Sequence, residues 1–157
     1  TIAAINGIAV GGGFSLALAC DIRLASDRAR IGAVWIERGL VPDCGATYFL
    51  PRLIGAGKAC ELVFTGRIVT ADEAMKIGLV NRVVAHVQLI DEALKLAEVI
   101  AAKPAIAMEF AKRAIYKGMA HDLVPQLDLE TYAQRVCFGT EDFRELIRNF
   151  LERRKQA

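Results

Sequence analysis

From Thr1 to Cys20 the chain carries no charged side chain, and the run is cut by Asn6, Gly7 and the triplet Gly11-Gly12-Gly13. So long an uncharged stretch has to be buried, and its interruptions indicate how. The glycines fall well short of the ~20 apolar residues of a membrane span, and neither an initiator Met nor a basic segment opens the run, so a leader or membrane helix is not expected. What fits is a buried strand, Ile2 to Ile5, a glycine turn, and a helix continuing from Phe14 to Cys20. Asp21 closes that helix, and Ile22-Arg23-Leu24-Ala25 reads as a second strand. Strand, helix, strand places the chain in the α/β class.

The remaining elements follow without an evident linker or repeat. Arg30 to Val34 is a third strand candidate. Gly39-Leu40-Val41-Pro42-Asp43 then turns into a helix from about Cys44 to Ile54 with Asp43 at its N-cap. Lys58 to Thr65 forms another helix ended by Gly66. Thr70-Ala71-Asp72-Glu73 is a capping box for a short helix that stops at Gly78, and Leu79 to Val84 is a strand. Beyond Gln88 the period is helical. Leu89, Ala93, Leu96, Ala97 and Ile100 recur at three and four residues, Pro104 opens a helix to about Gly118, a third spans about Leu127 to Phe138, and Thr140 caps a last one. The division expected is therefore an α/β part over residues 1–87 and a helical part over 88–157.

Composition limits the function classes. The 157 residues suit a single core, and 54% hydrophobic against 24% charged residues exclude disorder. Twenty Lys plus Arg against 18 Asp plus Glu leave +2, too little for a nucleic-acid footprint. Aromatic residues are 7%, so the apolar excess lies in aliphatic side chains, part of which an oligomer would hide. Cys20, Cys44, Cys60 and Cys137 show no C-x-x-C and no nearby His pair, which speaks against zinc and for buried free thiols in a reducing, cytoplasmic setting. The basic ending Arg153-Arg154-Lys155 complements a helix dipole or, alternatively, binds phosphate.

Chemistry is expected where strands hand over to helices. At Gly11-Gly12-Gly13, bare backbone N–H groups at a helix start can hold a developing negative charge, although a glycine turn for close packing accounts for the triplet equally well. Phe14 and Leu16 break a dinucleotide motif, and Gly57-Lys58-Ala59 lacks the hydroxyl and spacing of a nucleotide-hydrolysing loop. His86 and His121 read as surface residues. Asp43 is the second candidate, as an N-cap or as a catalytic carboxylate.

Ile5-Asn6-Gly7-Ile8-Ala9-Val10-Gly11-Gly12-Gly13, Leu18-Ala19-Cys20-Asp21, Gly39-Leu40-Val41-Pro42, Thr65-Gly66-Arg67 and Ala74-Met75-Lys76-Ile77-Gly78-Leu79-Val80 are in combination specific, and through them the chain resembles the enoyl-CoA hydratase/isomerase (crotonase) superfamily. The resemblance implies a spiral of strand-strand-helix turns, as in the ClpP/crotonase fold. It also implies a helical C-terminal region that makes trimer contacts and covers an acyl-CoA site. It covers about the last three-fifths of a family member, so a preceding segment with the second oxyanion donor and much of the CoA-binding loop is expected outside these residues. Gly12 matches the glycine whose N–H binds the thioester oxygen as an enolate forms. The implied substrate contacts are Gly12, Ser15, Val34, Trp35 and Asp43, with Asp43 and Gly12 catalytic. The implied partner is an acyl-CoA thioester in a homotrimer or hexamer, with no cofactor beyond the CoA of the substrate, no metal, no nucleic acid and no membrane.

Departures from the family pattern carry the finer expectation. Hydratases use two glutamates to activate and deliver water. Alignment on the glycine triplet puts Ser15 at the first, and alignment on Gly39-Leu40 and the Pro42 turn puts Trp35 at the second. Glu37, two residues on, would share a face with Trp35 if the segment were extended. Asp43 stands where isomerases and aryl-CoA dehalogenases of this superfamily carry an aspartate, and the stretch around it is similar to the ring-opening isomerases of phenylacetate breakdown. A single carboxylate can take a proton from carbon beside a thioester and return it elsewhere, which is isomerisation. The alternatives are an enoyl-CoA hydratase of fatty-acid β-oxidation and a non-catalytic acyl-CoA-binding or assembly subunit.

Overall fold

Two strands precede the first helix in the computed structural model, which describes residues 1–156, with the side chains of residues 155 and 156 excepted. β1 (Ile2–Ile5) and β2 (Ile8–Val10) flank the Asn6-Gly7 turn, and α1 (Gly12–Ala19) follows. β2 is absent from the sequence-based expectation. Three residues between two glycines are too few to show an alternating pattern, and β2 is a strand because β4 pairs with it. The next turn of chain repeats the arrangement with β3 (Ile22–Ser26) and β4 (Arg30–Gly32). β1 pairs parallel to β3 with Ile2 opposite Ile22, and β2 pairs parallel to β4 with Ile8 opposite Arg30. Each turn thus lays one strand in each of two sheets, and successive turns stack at the ~4.8 Å strand spacing. This is the strand-strand-helix spiral.

β4 ends at Gly32, short of Val34. β5 (Ile68–Thr70) runs antiparallel beside it, and a Cβ at Gly32 would lie 2.7 Å from Ile68 Cγ1, so only glycine permits the approach. After it the chain enters a 3-10 turn, Ile36–Arg38. α2 (Ala46–Ile54) and α3 (Ala56–Thr65) pack together, and Gly66 ends α3 at φ 61°. Thr70 Oγ1 accepts from the N–H of Glu73 at 3.2 Å and caps α4 (Ala71–Lys76) as the sequence indicates. The strand expected from Leu79 is only β6 (Arg82–Val84), beside β3, because the N–H groups of Leu79 and Val80 turn back to the Ala74 carbonyl.

The core joins both sheets to α1 and α2. Phe14, Leu18, Ala25, Ile31, Trp35, Leu50, Leu62, Val69 and Leu79 form one buried cluster. Ser15, Arg23 and Ser26 are buried polar exceptions, and each makes hydrogen bonds to backbone carbonyls.

The chain divides into two compact units, residues 1–97 and residues 98 onward. α5 (Leu89–Ala101) leads into the second, which holds α6 (Ala105–Gly118), α7 (Leu123–Phe138) and α8 (Glu141–Gln156). α7 begins four residues before its expected start at Leu127, since Pro125 falls in its first turn, where a missing N–H costs nothing. Thr140 caps α8 through the N–H of Phe143, and Phe138 meets Phe143 at 5.1 Å between centroids. Arg154 lies 6.0 Å from the Phe150 ring, while the Lys155 side chain is outside the described residues. No helix among the described residues is long and apolar enough to cross a membrane.

The four cysteines are free thiols, but none is buried: Cys44 and Cys60 are exposed, and Cys20 and Cys137 are half-buried. Cys20 follows the last turn of α1, and Cys44 lies in a surface turn, so neither position faces the core. His121 is exposed, whereas His86 is half-buried, with Nδ1 3.4 Å from Ser26 Oγ.

Candidate active site

Three segments of the first unit supply one cavity. The first is the start of α1. Gly11 has φ 53° and ψ −133°, open to glycine and strained for other residues, and from it the chain enters the helix with Gly12 as the first helical residue. The N–H groups of a first helical turn have no partner within their helix, and the helix end adds positive potential. A Cβ at Gly12 would meet nothing within 4 Å, so this glycine is not required by packing inside the chain. Gly12 faces open space at the Cβ position and lines the cavity.

The second segment is the 3-10 turn. Trp35, 5% exposed, sits at its start, and its ring lies 6.1 Å from that of buried Phe14 at 34°. Gly39, at φ 65°, ends the turn, and Leu40 N–H donates back to the Trp35 carbonyl at 3.1 Å. The indole is therefore fixed by the core on one side and the turn on the other.

The third segment is Pro42-Asp43-Cys44-Gly45. Cys44 has φ 48°, the sole positive φ outside glycine among the described residues, and Gly45 follows at φ 85°. This left-handed pair delays α2 to Ala46, so Asp43 is not the N-cap that the sequence suggests. Gly45 holds that position and has no side chain to cap with. The Asp43 carboxylate is instead free for another contact, and Trp35 Nε1 donates to its Oδ1 at 3.1 Å. Its main-chain carbonyl accepts from Ala46 N–H at 2.9 Å and from Ser15 Oγ at 3.0 Å.

Between these segments lies a cavity of about 290 Å³, lined by Val10, Gly11, Gly12, Val34, Trp35, Arg38, Leu40 and Asp43. Of the residues singled out from the sequence, Gly12, Val34, Trp35 and Asp43 come together here. Ser15 does not. It is fully buried and not among the residues lining the cavity, and its hydroxyl donates to the Asp43 main-chain carbonyl. Glu37 does not line the cavity either, because the segment after Trp35 is a 3-10 turn and not extended chain, and residues two apart no longer share a face. Its side chain lies against Gly66, where a Cβ would fall 2.8 Å from Glu37 Cγ.

Arg38 and Leu40 are wall residues that the sequence reading missed. In a 3-10 turn residues three apart eclipse, so Trp35 and Arg38 share a side, and a 3-10 assignment of Ile36–Arg38 would have found the arginine. Asp43 is the one carboxylate among the described lining residues, and its oxygens stand in a wall that is otherwise apolar apart from Arg38 and the glycine backbone. No group of three or more His, Cys, Asp or Glu suited to a metal ion occurs among the described residues. The site offers one proton acceptor, one preorganised N–H and an apolar wall. That set suits proton transfer at carbon next to a carbonyl whose oxygen takes up charge.

Residues 1–157 match the family model described as enoyl-CoA hydratase/isomerase. The chain is similar to a short-chain-enoyl-CoA hydratase of Clostridium acetobutylicum, with 43% identity over 154 residues covering 98% of this chain and 59% of the relative. A short-chain-enoyl-CoA hydratase of Clostridioides difficile is 47% identical over 149 residues, covering 95% of this chain and 96% of that relative. Among solved structures, the crystal structure of an enoyl-CoA hydratase from Bacillus anthracis superposes with a TM-score of 0.93 at 44% identity, covering 97% of this chain and 59% of that one. The chain thus spans 59% of the length of the first of these relatives and of that structure.

Proposed function

Because the chain belongs to the enoyl-CoA hydratase/isomerase family, we propose that it carries the acid/base and oxyanion part of an acyl-CoA isomerase, with Asp43 moving the proton and Gly12 N–H holding the thioester oxygen. The observation that carries this reading is the single carboxylate, Asp43, held by Trp35 in the same cavity as Gly12. For a 3-enoyl-CoA, Asp43 takes the proton from C2. The C–H electron pair delocalises onto the thioester oxygen as a dienolate. The protonated Asp43 then delivers the proton to C4, leaving the double bond between C2 and C3. Carboxylate, substrate atoms and charge are restored, and no cofactor beyond the CoA of the substrate is needed. The oxyanion donor contributes at the moment charge develops, and loss of one such donor typically costs about 10² to 10³ in rate.

Hydration is the second reading, favoured by the names of the relatives. It needs a group to orient water beside the one that moves the proton. Ser15 is committed to Asp43 and Glu37 lies at Gly66, so neither supplies it in this geometry. In the assembled enzyme we expect a homotrimer or hexamer, a reading supported by the exposed Leu123, Val124, Phe150 and Leu151 of the helical unit.

Incubation of the protein with trans-3-hexenoyl-CoA in D2O tests the first reading. The expected result is deuterium in the thioester and conversion to the 2-enoyl isomer, both lost in Asp43→Asn. Formation of 3-hydroxyacyl-CoA from a 2-enoyl-CoA, unaffected by Asp43→Asn, would establish the hydratase reading in its place. Tight thioester binding with neither reaction would leave a binding subunit.

A further inference from the structure

Ser15 occupies a place in α1 where its hydroxyl reaches two carbonyls, Asp43 O at 3.0 Å and Gly11 O at 3.4 Å. The Gly11 carbonyl already accepts the Ser15 backbone N–H at 3.0 Å. A hydroxyl has one proton to donate, so it goes to Asp43, the shorter of the two contacts. The residue is fully buried, which removes competition from water. Ser15 lies one helical turn after Gly12, on the helix whose first turn lines the cavity, and Asp43 belongs to the strained turn before α2. A part-buried hydrogen bond therefore runs from the helix carrying the oxyanion donor to the residue carrying the carboxylate.

We infer that Ser15 is a positioning residue, whose hydroxyl sets the distance between the Gly12 N–H and the Asp43 carboxylate. Trp35 fixes the side chain of Asp43 and Ser15 fixes its main chain, so the carboxylate is held at both ends. Ala46 N–H still satisfies the Asp43 carbonyl when the hydroxyl is removed, so the loss shifts the turn without leaving that acceptor unpaired. This inference rests on the reading of Asp43 as the acid/base.

The test uses Ser15→Ala beside Asp43→Asn, with two readouts. In exchange and isomerisation of trans-3-hexenoyl-CoA, Ser15→Ala should lower kcat between about tenfold and a hundredfold with KM unchanged, as a displaced catalytic group does. Trp35 is the single tryptophan of the chain, so intrinsic fluorescence reports its contact with Asp43 directly. Ser15→Ala should move the emission in the same direction as Asp43→Asn. Wild-type kcat and emission in folded Ser15→Ala would overturn the inference, and so would a raised KM with unchanged emission, which marks a substrate contact. Full exchange activity in Asp43→Asn would sink the isomerase reading instead, and the emission of Ser15→Ala would then still decide whether Ser15 sets the turn. Should Ser15→Ala fail to fold, Ser15→Cys, nearly isosteric with a weaker donor, is read in the same two ways.

Discussion

The indole N–H of Trp35 donates to Asp43 Oδ1 across 3.1 Å, with the tryptophan buried and the aspartate at the cavity wall. The bond joins the 3-10 turn to the turn before α2 and fixes one carboxylate oxygen. A hydrogen bond to a charged group contributes about 1.5 to 3 kcal/mol. Trp35→Phe keeps a ring against Phe14 and removes only the donor and some volume. It should cost under about 3 kcal/mol of stability and reduce turnover in the proposed isomerisation by about ten- to hundredfold. Chemical denaturation and steady-state kinetics check the two parts separately, and undiminished turnover would show that this bond does not hold the catalytic geometry.

Cys44 adopts φ 48° immediately after Asp43, where a side chain is strained and glycine is not. A β-branched residue is worst there. Cys44→Val should destabilise the protein, because a branched Cβ adds to the strain that the cysteine already carries. Cys44→Gly should stay within about 1 kcal/mol of the parent, since relief of strain is offset by a more flexible unfolded chain. Midpoints of urea unfolding for the two variants give the comparison. Equal midpoints would mean that the turn relaxes and carries no strain.

Much of this arrangement was legible in the sequence, and the parts that were not have physical causes. β1 and α1 could be read because an uncharged run broken by glycines has few ways to fold, and β3 because Asp21 closes the helix just before a short apolar stretch. Thr70 and Thr140 act as caps as their spacing suggests. β2 and β5, each three residues long, are strands by virtue of β4 between them, and no local pattern marks such pieces. Asp43 was singled out as a site residue, but its removal from the N-cap depends on two consecutive positive φ values, which only Gly45 advertises. Alignment offers Ser15 as a substrate contact, and a period of two would put Glu37 on the face of Trp35. The helix turns the first inward to Asp43, and the 3-10 turn carries the second to Gly66.

Away from the site, Glu92 and Lys95 form an exposed pair at 2.7 Å on α5. The hydrogen bond and charge of Lys95 hold the Glu92 carboxyl below its ordinary value, and Glu92 raises Lys95 in turn. A lowered carboxylate contributes stability that is present above its unfolded-state pKa and is lost as pH falls through the folded-state value. The raised lysine contributes below its unfolded-state pKa and loses that contribution as pH rises through its folded-state value. Glu92→Gln should therefore lower stability slightly at neutral pH and not at all once the carboxyl is protonated. The neutral-pH difference should shrink with added salt, because the pair is exposed. Thermal melts of both proteins at acid and neutral pH decide this, and a difference that persists in acid would assign it to something other than the ion pair.

At Gly12 the needs of folding can be separated from those of the proposed catalysis. Beyond its chain neighbours and the backbone of its own helix, no atom stands within 4 Å of a Cβ added there, and the residue is the first of α1, so Gly12→Ala meets no obstacle from the rest of the folded chain. Alanine loses less backbone entropy than glycine on entering a helix, a difference of roughly 0.5 to 1 kcal/mol, so the variant should be as stable as the parent or slightly more so. The added methyl would, however, crowd the space beside the N–H, where the proposed reaction brings the thioester oxygen. Turnover should fall by about a hundredfold or more, in the range seen when an oxyanion donor is lost. A stable Gly12→Ala protein with that loss places the donor at Gly12. Undiminished turnover in the same protein would move the oxyanion site elsewhere.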